Sequence, residues 1–173
     1  MSTNISMELF PFSSFTPQDP MVEALKVAME KDVIFVMLSP TEKSFIVLKL
    51  LSEKIAEIKA NKGQAIFLVA KEEQAVLWSE FLNQMLNFPI SHIAEDQNHD
   101  QIESREVLVA TVNAYHHHMK QSSAKKVSLC IIDNGHLLKG NSQFQDILEQ
   151  LQLACTDFVA RTTIDRAITR GPP

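Results

Sequence analysis

The sequence predicts an α/β fold: a mostly parallel sheet enclosed between two layers of helices. Three observations carry that expectation. Short apolar runs at 33–38, 65–70, 107–112 and 127–132 alternate with longer segments of helical periodicity. Each run is apolar at consecutive positions rather than alternate ones, as in strands covered on both faces. Strands separated by helices return through right-handed crossovers, which make neighbouring strands parallel. The 173 residues, 45% apolar and 21% charged, suit one globular domain. A chain of this size buries about 70% of its unfolded surface and needs no covalent staples.

The elements follow in order. Residues 1–14 are polar and Ser-rich and read as a flexible arm. Phe15-Thr16-Pro17-Gln18-Asp19-Pro20 opens a first helix, with Met21, Ala24, Leu25, Ala28 and Met29 at helical spacing. Strand 33–38 precedes a long helix, 41–60, with Phe45, Leu48, Leu51, Ile55 and Ile58 on one face. Asn61-Lys62-Gly63 stops it, with Gly63 placed as the helix-ending glycine. Then come strand 65–70, helix 72–86 and a short strand, 90–93. Residues 95–106 read as a loop with a helical turn. Strand 107–112, helix 113–121, strand 127–132 and helix 142–154 complete the pattern. No internal repeat or low-complexity tract interrupts it.

Composition narrows the function classes. The net charge of −5 argues against strong autonomous binding to nucleic acid, which calls for a clustered basic footprint. Cys130 and Cys155 fit no zinc pattern. Cys130, inside an apolar run, reads as a reduced core residue, which suits a reducing, cytoplasmic setting. Residues 1–12 lack the basic flank and apolar core of a signal peptide. No run approaches the ~20 apolar residues of a membrane span.

In open parallel sheets ligands bind beyond the carboxyl ends of the strands. Two such ends carry chemistry. At the first, strand 33–38 runs through Ser39-Pro40-Thr41-Glu42-Lys43-Ser44 into a helix. A phosphate loop of the form G-x-x-x-x-G-K-[ST] would lie there. Lys43 and Ser44 are present, but Met37 and Glu42 stand at its glycine positions. Pro40 also removes a backbone donor. Glu42 sets a carboxylate where phosphate oxygens would lie and can neutralise Lys43. At ~4 Å and an effective dielectric of 20 each such charge pair is worth on the order of 4 kcal/mol. That is half of a micromolar affinity of about 8 kcal/mol. The competing reading is a plain helix start, capped by Ser39 or Thr41, with Glu42 favourable in the first turn. At the second end stands Asp133-Asn134-Gly135-His136, which also reads as a turn. His116-His117-His118 points three ways on a helix, so it reads as a solvated face rather than a metal site.

These two motifs, in this order and about ninety residues apart, resemble the first RecA-like domain of superfamily 2 DExD/H helicases. The opening 15–19 and the run Ser44-Phe45-Ile46-Val47-Leu48-Lys49-Leu50-Leu51 are similar to the amino-terminal helicase region of Dicer, closest to the degenerate arthropod microRNA type. The resemblance covers roughly residues 15–150. It implies a RecA-like, P-loop NTPase-type, three-layer domain spanning 15–155. This would be the first helicase domain only, incomplete at its C-terminus. Residues 156–173 form a divergent or truncated tail that lacks the family's Ser/Thr-Ala-Thr strand. A helicase strand order of 3-2-4-1-5 is expected, against 2-1-3-4-5 for a flavodoxin-like fold.

The resemblance also assigns roles. Lys43 matches the phosphate-binding lysine, Ser44 the Mg²⁺-holding hydroxyl and Asp133 the Mg²⁺-positioning acid. Together they form a vestigial nucleotide site. Asn134 replaces the Glu that orients water and cannot accept its proton. His136 matches the residue that couples the ATP site to motion between helicase domains. Met21 stands where a Gln reads adenine, without that amide's donor and acceptor. Lys71 and Thr111 match phosphate contacts to RNA, although Glu72 and Glu73 beside Lys71 would repel phosphate. The implied chain has no catalytic residues of its own and no resident cofactor, and binds ATP and Mg²⁺ at most weakly. Its partners would be double-stranded or hairpin RNA reached through a Dicer-type ribonuclease III parent, the other domains of that parent, and a dsRNA-binding protein. Two alternatives remain: a functional ATP-binding helicase domain, and an unrelated α/β protein-interaction module.

Overall fold

A computed structural model describes residues 19–30, 33–37, 40–94, 105–121, 126–133, 140–154 and 161–166. Eleven elements run α1 (Asp19–Glu30), β1 (Val33–Met37), α2 (Pro40–Ala60), β2 (Gln64–Val69), α3 (Glu72–Met85), β3 (Ile90–Ile93), β4 (Val107–Thr111), α4 (Val112–Gln121), β5 (Val127–Asp133), α5 (Ser142–Ala154) and β6 (Arg161–Arg166). The six strands form one parallel sheet in the order β1-β6-β5-β2-β4-β3. Every carboxyl end therefore lies on the same edge.

Two sequence expectations give way here. The order is neither 3-2-4-1-5 nor 2-1-3-4-5, because β1 and β2 are separated by β5 and β6. The sequence also puts the end of the domain at 155 and a tail beyond it. Residues 161–166 instead form a strand wedged between β1 and β5. Hydropathy misses it because Arg161-Thr162-Thr163-Ile164-Asp165-Arg166 has one aliphatic residue and three charges. The expected helical turn within 95–106 falls mostly outside the described residues.

The sheet divides the core by strand alternation. Ala65, Phe67, Val69, Val107, Val109, Leu129 and Ile131 face α1, α2 and α3. Ile66, Leu68, Leu108, Ala110, Cys130 and Ile132 face α4 and α5. Both sets are almost wholly buried, which is why the runs are apolar at consecutive positions, with Thr111 and Ser128 the polar exceptions. The centre of the α2 stripe is Ile46, Val47, Leu50 and Leu51; Phe45, Leu48 and Ile55, placed on that face by the sequence, pack only in part. Among the described residues no helix is long and apolar enough to cross a membrane.

The end of α2 shows how local chemistry sets a corner. Gly63 N–H donates to Ile58 O at 2.8 Å and Lys62 N–H to Lys59 O at 3.1 Å, the paired bonds of a Schellman cap. The left-handed residue is Lys62, at φ 51°, not Gly63 as the sequence suggests. Gly63 serves close packing instead, since a Cβ there would stand 2.2 Å from Ser128 Oγ. Lys62 thus directs the chain into β2 and Gly63 seats it against β5.

At the far edge of the sheet, Asn83 of α3 clamps β3. Its Nδ2 donates to Ile90 O at 3.1 Å and its Oδ1 accepts Ile90 N–H at 3.0 Å. The amide thus does for the edge backbone what a neighbouring strand would do. Asn83→Ala is expected to cost about 1–2 kcal/mol by stranding both groups. Native-state hydrogen exchange would show it as lost protection at Ile90 with β5 protection retained.

Candidate nucleotide site

The site grows from the junction of β1 and α2. The strand ends at Met37 and the helix begins at Pro40, so the connection is residues 38 and 39. Proline suits a first helical position, where its missing N–H has no intrahelical partner to lose. Thr41, Glu42 and Lys43 follow within the first turn, with Glu42 its acidic residue. A wrapping loop of the phosphate-binding type is replaced by a helix that starts three residues before the lysine.

Lys43 Nζ lies 2.6 Å from Asp133 Oδ1. The two side chains are 17% and 5% exposed, so the pair is largely withdrawn from water. The pair joins residues ninety apart in sequence. Asp133 is the last residue of β5, level with Ile164 of β6, and Met37 at the end of β1 is level with Arg166. β6 separates the two strands that supply the pair, which puts those strands about 10 Å apart. Lys43 reaches over the end of β6 to meet the acid. A carboxylate set against it is Asp133's, which the sequence does not pair with Lys43. Ser44 lies on the same turn and is buried.

The residue set departs from a phosphate loop at both glycine positions, Met37 and Glu42. The cation meant for phosphate and the acid meant for the metal hold each other. Pro40 supplies no amide donor ahead of Lys43, and Glu42 stands in the first turn. Ser39, Asn134, Gly135 and His136 lie outside the described residues. Met21 packs against the α1–α3 core, so its thioether serves packing.

The two RNA-contact candidates come to the same edge but differ. Val69 and Thr111 are level in the β2–β4 pairing, and Lys71 follows two residues after Val69. Lys71 is exposed; its backbone is extended and its carbonyl accepts the N–H groups of Gln74 and Ala75. It stands open to an external anion. Thr111 is 7% exposed, and its Oγ1 accepts the Ala114 N–H at 3.2 Å. That hydroxyl caps α4. Glu72 turns to β3, with Oε1 2.7 Å from His92 Nε2. The histidine run is also corrected. His117 is exposed, but His116 and His118 are buried. His116 Nε2 meets Asp146 Oδ2 at 3.1 Å and, with Gln143 Nε2 donating to Asn113 Oδ1 at 2.9 Å, joins α4 to α5.

A family model described as DEAD/DEAH box helicase matches residues 17–164, most of the chain and nearly to the end of β6. The chain belongs to the DEAD/DEAH box helicase family. The reading as an unrelated α/β interaction module is thereby overturned. Solved structures agree on the fold. The Hef helicase domain of Pyrococcus furiosus superposes with a TM-score of 0.75 at 14% identity, over 90% of this chain and 34% of that one. The UvsW helicase of bacteriophage T4 gives 0.69 at 13%, over 91% and 55%. The yeast DEAD-box splicing factor Prp28 gives 0.62 at 16%, over 82% and 38%. The chain therefore spans about a third to just over half of these relatives. No curated protein matches it. Within this helicase fold, the edge bearing Lys43 and Asp133 is where the sequence places the vestigial nucleotide site.

Proposed function

We propose that this DEAD/DEAH-family domain does not turn over ATP and serves as a structural and RNA-recognition element of a Dicer-type ribonuclease in small-RNA processing. The observation that carries the first half is the Lys43–Asp133 contact at 2.6 Å, formed by a helix that already begins at Pro40. Loss of both glycine positions and Asn134 in place of a proton-accepting Glu support the same reading. The second half rests on the Dicer-like stretches at 15–19 and 44–51. Exposed Lys71 offers one point of RNA contact; the net charge of −5 implies that further basic surface comes from the rest of a parent protein. The buried thiol of Cys130 suits the cytoplasm.

Two measurements test it. With Mg²⁺-ATP and duplex RNA, phosphate release by the purified chain is expected to equal that of Lys43→Ala. Turnover that vanishes in Lys43→Ala would overturn the ATP half. The transcript downstream of codon 173 is expected to encode a PAZ and paired ribonuclease III region. An open reading frame without them would overturn the Dicer half.

A further inference from the structure

The opposite edge of the sheet carries charge that the carboxyl-edge site does not use. Lys62, Arg105 and Lys126 stand one or two residues ahead of β2, β4 and β5, which are adjacent strands, and all three are exposed. We propose that this amino edge is a docking face for an extended acidic segment of a partner protein. It stands apart from the reading of the carboxyl edge as a vestigial nucleotide site.

The backbone sets these cations in a row. Gln64 N–H donates to Lys126 O at 2.8 Å, and Ala65 N–H donates to Glu106 O at 2.7 Å. The buried side chain of Gln64 completes the tie, with Nε2 donating to Arg105 O at 3.0 Å. Gly63, whose Cβ would stand 3.2 Å from Lys126 O, lets the chain pass close enough to bring Lys62 alongside. Neighbouring strands lie about 5 Å apart, so the three strand entrances span ~10 Å. An extended peptide sets every second side chain on one side, ~7 Å apart, so successive carboxylates can meet this row. Other lysines serve local needs. Lys26, Lys49 and Lys54 pair with glutamates three or four residues away. Lys59 and Lys120 lie in the last turns of α2 and α4, where a cation favours the helix dipole. Among the described residues, Lys62, Arg105 and Lys126 form no ion pair and end no helix. A nucleic-acid strand fits the row less well. Glu106 follows Arg105 there, and α2 and α4 both turn their negative ends to this edge, so a phosphate at every unit meets repulsion. A peptide can set a neutral or basic residue opposite Glu106, which fixes its register.

Fluorescence anisotropy at low salt, with a labelled peptide of alternating Glu and Ser as the probe, tests the face. The wild-type chain is expected to bind it. Lys62→Gln combined with Lys126→Gln is expected to weaken binding about tenfold while leaving Tm within about a degree. Lys26→Gln combined with Lys49→Gln removes the same charge elsewhere and is expected to change affinity less than about twofold. Equal losses in the two double variants would reduce the effect to net charge and overturn the docking face, as would a wild-type chain that does not bind. A uridine oligonucleotide of equal charge is expected to bind more weakly than the peptide. Tighter binding that depends on Lys62 and Lys126 would overturn the protein partner in favour of nucleic acid. Sedimentation of the chain alone is expected to give a monomer. Self-association lost in the Lys62→Gln, Lys126→Gln variant would make the occupant a second copy and overturn a separate partner.

Discussion

A chain ending at residue 155 is expected to show no cooperative unfolding transition, although it retains every strand that hydropathy predicts. β6 pairs with all five residues of β1 on one side and four residues of β5 on the other. Net hydrogen bonding contributes about 1 kcal/mol per bond, so the strand accounts for a sum comparable to a whole domain's ~5–15 kcal/mol. Its removal leaves β1 without a strand partner among the described residues. It also opens the β5 edge at Cys130, Ile131 and Ile132, an apolar run suited to pairing with other chains. Urea titration followed by far-ultraviolet circular dichroism, with light scattering on the same samples, checks this. A truncated chain that stays monomeric and unfolds at the full-length midpoint would show β6 to be dispensable.

The elements that were legible in the sequence share one physical property: their burial is written in side chains. β2, β4 and β5 are buried on both faces and read as mainly apolar runs. The helix boundaries fall within a residue or two because Pro40, Glu72 and Ser142 mark starts. β6 was illegible because its place in the sheet comes from backbone pairing while its side chains carry charge. Strand order was illegible for a related reason, since hydrophobic pattern says which residues are covered but not which strand lies beside which. The Lys43–Asp133 contact depends on that order. Sequence names both residues, yet only the folded chain shows that Lys43 meets the acid at 133. His116 was misread as part of a solvated face because a polar residue between two helices is as often bonded inward as turned to solvent.

Phe67→Ala is expected to cost about 3–5 kcal/mol, the range for deleting a buried aromatic side chain. Phe67 is fully buried at the middle of β2, level with Val109 on one side and Ile131 on the other. Its ring meets Trp78 edge-on at a centroid distance of 4.8 Å, and Trp78 meets Phe81 at 5.8 Å. The three rings pin α3 to the sheet, so truncation leaves a cavity that a strand backbone cannot collapse to fill. For a chain of this length the loss corresponds to a fall in Tm of about 10 °C. Trp78 is the single tryptophan and reports the event directly, with emission expected to shift to the red as its packing loosens. The effect reaches the functional edge because Phe67 lies two residues before Val69, which is level with Thr111 and is followed two residues on by Lys71. Phe67→Leu keeps most of the volume and is expected to cost under half as much. Equal losses in the two variants would mean that β2 relaxes around the site. In that case the packing beneath the carboxyl edge would not fix where Lys71 and the Lys43–Asp133 pair stand.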